Sequence, residues 1–213
     1  EGAMNAVAEL VIGLMLSMAR EIPRADREVR NGNWIKKELM GRELSGKYLG
    51  IIGLGNIGKK LARHAKSLNM NIIGYDVVPI DEEFSKEVGL MKADLDTLLS
   101  SSDYVSLHVP LLESTHHMIN NEKLKLMKKT ACIINAARGG VIDEDALYNS
   151  LKEGNLANAA LDVFEAEPAT GNNLITLPNF IATPHIGAQT KEAQSLAANI
   201  IAEKIIQILR GVI

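Results

Sequence analysis

"YLGIIGLGNIGKKLARHAKSLNMNIIGYD", Tyr48 to Asp76, is the stretch that decides the fold. It opens on a short apolar run, "YLGIIG" (48–53), and passes through glycine-rich sequence into a helix of about Ile57 to Leu68. It closes on a second apolar run, "NIIGYD" (71–76). Strand, glycine turn, helix and strand make a βαβ unit. Gly53, Gly55 and Gly58 stand in the G-x-G-x-x-G spacing. That spacing is weak alone, because glycine is common. Between a strand and a helix it predicts a dinucleotide site. Gly53 is expected to make the tight turn, Gly55 to let a diphosphate approach the backbone, and Gly58 to let helix and strand pack closely. Asn56 and Ile57 then lie at a helix N-terminus, whose free N–H groups suit phosphate. The competing reading is a turn that merely happens to be rich in glycine.

Asp76 ends the second run, 18 residues after Gly58. A carboxylate there can accept hydrogen bonds from ribose hydroxyls and would repel a 2′-phosphate. Val77, Val78, Pro79 and Ile80 follow, with no Arg or Lys among them. NAD is therefore expected over NADP, against the plainer reading of a surface Asp at a strand end.

Forty-seven residues precede the motif. Residues 4–20 read as one helix with an apolar surface nearly all round, through Val7, Leu10, Val11, Leu14, Met15 and Met18, which predicts burial on several sides. A second helix is expected from about Ala25 to Arg30, followed by the turn "NGNW". Trp34, the only tryptophan, is a core residue by default and an interface residue on the sharper reading.

Downstream, "PIDEEFSKEVG" is weakly patterned, and a short strand is expected near Leu90. "ADLDTLLSS" (93–101) reads as a helix, "YVSLHVP" (104–110) as a strand, and "NEKLKLMKK" (121–129) as a helix capped by Asn121. "ACIINAA" (131–137) is a strand, "DEDALYNSLKEG" (143–154) a helix, and "NAALDVF" (158–164) and "NFIATPH" (179–185) are strands. A long helix runs from about Thr190 to Arg210. Short apolar strands alternating with helices predict an α/β fold: a Rossmann-like, doubly wound, mostly parallel sheet of about seven strands with helices on both faces.

The 213 residues suffice for one large domain or two small ones, and 46% apolar content supports a sizeable core. A net charge of −3 gives no sign of a nucleic-acid-binding surface. Leu10 to Ala19 is too short to span a bilayer, so no membrane partner is expected. The single Cys132 excludes an internal disulfide and a cysteine-rich metal site, and it suits a reducing, cytoplasmic compartment.

Three features suggest chemistry. Arg138 in "NAARGG" follows an apolar strand, where a guanidinium can hold a carboxylate on two hydrogen bonds and polarise a carbonyl beside it. A structural salt bridge is the alternative. His185 in "TPHIG" follows the last strand and can move the proton that accompanies a hydride. Glu165 and Glu167 in "DVFEAEP" each offer a carboxylate to that histidine, and the residues alone do not choose between them. His64 reads as a surface or cover residue, and His108 either faces the cofactor or packs. His116 and His117 are adjacent and on regular structure cannot share a face. None of the histidines has metal-ligand spacing, so no metal is expected.

Taken together, "VAELVIGLMLSMAREIPRA", the Tyr48–Asp76 stretch, "SDYVSLHVPL", "INNEKLKLMKKTACIINAARGGVIDEDAL", "AALDVFEAEP" and "ATPHIGAQTKEAQ" resemble the D-2-hydroxyacid dehydrogenase family over nearly the whole chain. The resemblance implies Glu167, the glutamate before the proline, as the partner of a catalytic His185, with Arg138 as the catalytic arginine. It further implies NAD contacts at Val109, Pro110, Ala136, Ala137, Asp162 and Gly187, beside the glycine loop, Asp76, His108, Arg138 and His185. His117 matches a recurrent family position, a match that implies no catalytic role.

The substrate implied is a small 2-hydroxyacid. "TKEAQ" leans toward the members that oxidise 3-phosphoglycerate on the way to serine. Another member, such as a glyoxylate or hydroxypyruvate reductase, is the alternative. An NAD-sensing, corepressor-like interaction protein is the alternative from another class. Family members carry a second, substrate-binding domain, so the resemblance implies an excised cofactor domain. On that reading, residues 1–46 are a crossover helix and dimerisation segment, 47–189 the dinucleotide-binding core, and 190–213 the helix leading back. A homodimer through residues 4–40 is expected.

Overall fold

The computed structural model describes residues 2–209. Its sheet has seven strands: β1 (Tyr48–Ile52), β2 (Asn71–Tyr75), β3 (Leu90–Lys92), β4 (Tyr104–Leu107), β5 (Cys132–Asn135), β6 (Asn158–Leu161) and β7 (Phe180–Ala182). Their spatial order is β3-β2-β1-β4-β5-β6-β7, and every pairing is parallel. The order reverses between β1 and β4, which opens the crevice where doubly wound sheets bind ligands. The strands stop two or three residues short of several predicted ends, because the site loops begin there.

Crossover helices α3 (Asn56–Ser67) and α4 (Glu82–Val88) follow β1 and β2. Helices α5 (Leu95–Ser101), α6 (Asn121–Leu126) and α7 (Glu144–Lys152) follow β3, β4 and β5. The "EEFSKEV" stretch, too polar to show a pattern, is α4, started by Asp81 accepting from the Glu83 and Phe84 N–H groups. Asn120, not Asn121, caps α6 through its side-chain oxygen and the Lys123 N–H. Both asparagines precede the apolar run, and only the backbone shows which one stands outside the helix.

Right-handed crossovers place α3 and α4 on one face and α5, α6 and α7 on the other. Leu61, Ala62, Phe84 and Val88 pack with the first face, and Leu98, Leu124, Leu147 and Leu151 with the second. The first face is thereby left bare over β5 and β6. Helix α1 (Gly2–Ala19) fills that gap, packing beside α3 and onto β5 and β6. Val7, Ala8, Val11, Leu14, Met15, Met18 and Ala19 are all buried there. The near all-round apolar character of α1 is thus largely used within its own domain. A buried side chain of this size stabilises by about 1.5–3 kcal/mol.

Helix α2 spans Ile22–Arg30, three residues longer than predicted at its start, because Pro23 sits in the first turn where its missing N–H is harmless. Trp34 is 81% exposed, so the core reading fails; it stands on the largely exposed segment between α2 and β1. Helix α8 (Lys191–Leu209) packs against α1, and Leu196, Ile201, Ile206 and Ile208 on it are exposed. The predicted end of this helix at Arg210 lies outside the described residues. No helix among them is long and apolar enough to cross a membrane.

Candidate active site

The glycine turn matches its predicted geometry. Gly53 has φ +91°, donates its N–H to the Tyr75 carbonyl at 2.9 Å, and would bring any Cβ within 2.6 Å of the His108 carbonyl oxygen. A Cβ on Gly58 would overlap the Gly53 carbonyl. Gly55 faces open space and begins α3, so the turn offers an uncovered helix N-terminus at Asn56 and Ile57. Asp76 Oδ2 accepts from the Leu54 N–H at 2.6 Å and Oδ1 from the Val78 N–H at 2.9 Å. Each oxygen keeps a second lone pair for a ribose hydroxyl. Beside it lies a cavity of about 430 Å³, lined by Val77, Val78 and Pro79, with Val77 85% exposed. Lys92 also borders it, but its Nζ is held by the Ile80 carbonyl and Glu82. A turn a Cβ would fill, an open helix end, a carboxylate and an apolar shelf fit an adenosine diphosphate without a 2′-phosphate.

His108 follows β4 beside this turn. Its Nε2 lies 2.9 Å from Ser106 Oγ, its Nδ1 is sealed from solvent without a partner, and burial pushes its pKa down to about 4. The ring is therefore neutral near pH 7. Val109 is half-buried and Pro110 exposed at the same strand end.

After β5 the chain turns sharply. Buried Asn135 holds that turn from both sides, its Oδ1 accepting from the Ala137 N–H at 3.0 Å and its Nδ2 donating to the Arg138 carbonyl at 2.8 Å. Ala136 is buried, Ala137 half-buried and Arg138 exposed. Arg138 donates from Nη1 to the Ala137 carbonyl and has no ion pair among the described residues, so the salt-bridge alternative has no support.

After β7 comes His185, at φ +56°, with its N–H donated to the Asp162 carbonyl at 2.8 Å. Its Nδ1 lies 2.9 Å from Glu167 Oε2, and Glu167 Oε1 accepts from the Phe164 N–H at 3.1 Å. The His185 contact, more than any other, holds the Glu167 carboxyl below the usual carboxylate range. Glu165 points elsewhere, to His117 Nε2 at 2.9 Å. The geometry thus separates the two glutamates that the residues alone left equivalent. With Nδ1 donating to a carboxylate, His185 keeps Nε2 free to take or give a proton.

Asp162 is 1% exposed. Its Oδ1 accepts from Thr183 Oγ1 at 2.6 Å and the Ile186 N–H at 2.9 Å, and its Oδ2 from the Gly187 N–H at 2.8 Å. Its visible task is to fasten the His185 loop. Gly187 is buried against it, where a Cβ would stand 3.2 Å from Asp162 Oδ2 and from Val7. His116 and His117 were expected to diverge. They stack at 3.9 Å between ring centroids, because His117 takes φ +50° and leaves regular structure. Among the described residues no group of His, Cys, Asp and Glu is arranged to hold a metal. Asn135, Glu144 and Asn172 were not singled out from sequence, although a polar Asn ending an apolar strand was a usable sign for the first.

Comparison with known proteins fits this geometry. Residues 12–187 match the D-isomer specific 2-hydroxyacid dehydrogenase, NAD binding domain. The chain belongs to this family. It is 51% identical over 207 residues to D-3-phosphoglycerate dehydrogenase of Methanocaldococcus jannaschii, covering 97% of this chain and 39% of that protein. It is 49% identical over 203 residues to hydroxypyruvate reductase of Thermotoga maritima, covering 94% and 65%. The structure of D-lactate dehydrogenase from Aquifex aeolicus complexed with NAD and lactic acid superposes with a TM-score of 0.90 at 34% identity, covering 97% of this chain and 66% of that one. The chain thus spans about two-fifths of the phosphoglycerate relative and about two-thirds of the others. It is an NAD-binding domain of the D-2-hydroxyacid dehydrogenases.

Proposed function

We propose that the protein containing this chain is an NAD-dependent D-2-hydroxyacid dehydrogenase that oxidises 3-phosphoglycerate to 3-phosphohydroxypyruvate in serine synthesis, and that residues 1–213 are its cofactor domain. The observation that carries the dehydrogenase reading is the Glu167–His185 pair at 2.9 Å, at the same strand ends as Arg138. The substrate choice leans on the "TKEAQ" segment and the 51% relative. The 49% identity to a hydroxypyruvate reductase makes a reductase the second reading. A corepressor-like NAD sensor has less support, since such a protein needs no acid–base pair.

NAD held at the glycine turn would supply the acceptor for the hydride of substrate C2 in oxidation and the donor in reduction. The protein's own groups do the rest. Arg138 swings from the Ala137 carbonyl to hold the substrate carboxylate on two N–H donors. His185 Nε2 takes the hydroxyl proton, and Glu167 stabilises the imidazolium that results. In reduction His185 is the acid. The glycine turn and the open start of α3 would hold the diphosphate of that cofactor, and Asp76 its ribose.

A panel of 3-phosphoglycerate, hydroxypyruvate and glyoxylate on the full-length enzyme tests the substrate. The highest kcat/KM is expected for the phosphoglycerate–hydroxypyruvate phosphate couple, and a preference for glyoxylate contradicts it. A cytoplasmic setting accords with the lone, buried Cys132. A homodimer through residues 4–40 accords with the exposed Ile22, Val29, Trp34 and Met40, which cluster in that segment. Sedimentation of the full-length protein at micromolar concentration checks it; a clean monomer contradicts it.

A further inference from the structure

We propose that Glu144, at the start of α7, is a positioning residue that sets the loop carrying Glu167. This rests on the reading that Glu167 and His185 perform the acid–base step. Asp143 already caps α7, its side chain accepting from the Ala146 N–H at 2.9 Å. Glu144 is therefore free for another task, and both its oxygens reach across to the segment after β6. Oε1 accepts from the Glu165 N–H at 2.7 Å and Oε2 from Asn172 Nδ2 at 2.6 Å. These contacts bracket the loop on either side of Glu167.

The return contacts tie in the turn that carries Arg138. Glu165 Oε1 lies 2.9 Å from His117 Nε2 and 3.3 Å from the Glu144 N–H that it accepts. The His117 N–H donates to the Gly140 carbonyl at 2.8 Å. Gly139 lies so close to Phe164 that a Cβ would overlap its carbonyl oxygen. The other side of Phe164, its N–H, holds Glu167 Oε1. One contact path thus runs from Glu144 through Glu165 and Phe164 to the carboxylate that meets His185, with the Arg138 turn pressed against it.

Burial raises the pKa of Glu144, so its charge is held there at a cost that the two N–H donors offset in part. The clamp borders a cavity of about 240 Å³ between Tyr148, Asp145 and Asn173. A loop released by loss of Glu144 has room to shift without the sheet having to move.

A double-mutant cycle in the full-length enzyme tests the proposal. Glu144→Ala is expected to lower kcat about tenfold with NAD affinity unchanged, and to have less than about a twofold effect when Glu167 is already Gln. Glu144→Gln keeps an acceptor for the Glu165 N–H and is expected to recover most of the rate. If Glu144→Ala does not fold, Glu144→Asp carries the same expectation, since it keeps the charge but falls a methylene short of Glu165. An equal fold-loss in both backgrounds, or a wild-type kcat in the folded variant, overturns the positioning role. If Glu167→Gln alone leaves kcat unchanged, the acid–base reading fails, and this proposal fails with it.

Discussion

At the nucleotide end of the crevice, between β1 and β2, most working parts are backbone. They are the Gly53 turn, the open start of α3 and the Tyr75 carbonyl, with one side chain, Asp76, closing the set. At the chemical end, beyond β5, β6 and β7, the working parts are side chains on loops. Those loops are held by other side chains: Asn135 for the Arg138 turn, Asp162 for the His185 loop, and Glu144 for the Glu167 loop. A backbone site fails when an atom is added. A side-chain site fails when one is removed. The two ends should therefore respond to opposite kinds of substitution.

The largest effect is expected from Gly58→Ala. Its Cβ would overlap the Gly53 carbonyl, so the turn or α3 must shift. A loss of about 3 kcal/mol in unfolding free energy is expected, with NAD binding lost. Gly55→Ala has room and φ −68°, so the fold should be unaffected while NAD affinity falls. Equal effects from both, in denaturation and calorimetry, would show that the turn is not built as described.

His108 lies between the two ends and sharpens the comparison through pH. In the folded protein it takes a proton only near pH 4, against 6.5 for the ordinary side chain. The unfolded chain thus holds more protons between those values. Stability should fall as pH drops through that window, by up to about 3 kcal/mol. His108→Asn should flatten that part of the curve in a denaturant series. An unchanged slope would mean that Nδ1 is not sealed from solvent.

A smaller effect is expected from Asp76→Ala, about a tenfold loss of NAD affinity measured by calorimetry. The preference for NAD over NADP should narrow with it. An unchanged preference would move the discrimination to Val77 and Val78.

The same contrast governs what the sequence disclosed. The nucleotide end was readable because Gly53, Gly55, Gly58 and Asp76 lie within one βαβ unit, at spacings fixed by strand and helix geometry. The seven parallel strands were foreshadowed by short apolar runs, whereas their spatial order is seen only in the structure. The chemical end was readable only in part. Arg138 and His185 stood out at strand ends. The choice of Glu167 over Glu165 came from a resemblance, because both glutamates are two residues apart on an irregular loop. The stack of His116 on His117 depends on a positive φ that no residue pattern announced. Glu144 and Asn172 are 28 positions apart, and their bond exists only after α7 has packed. The polar α4 was missed because a capping Asp81, not an apolar stripe, starts it. The core reading of Trp34 failed because hydrophobic size says nothing about which surface covers it.

The most direct test of the central claim, that one end binds and the other reacts, is His185→Asn in the full-length enzyme, with NAD affinity and kcat measured side by side. NAD affinity should stay within about twofold while kcat falls about 10³-fold. Affinity and rate falling together, or a rate near wild type, would contradict the account.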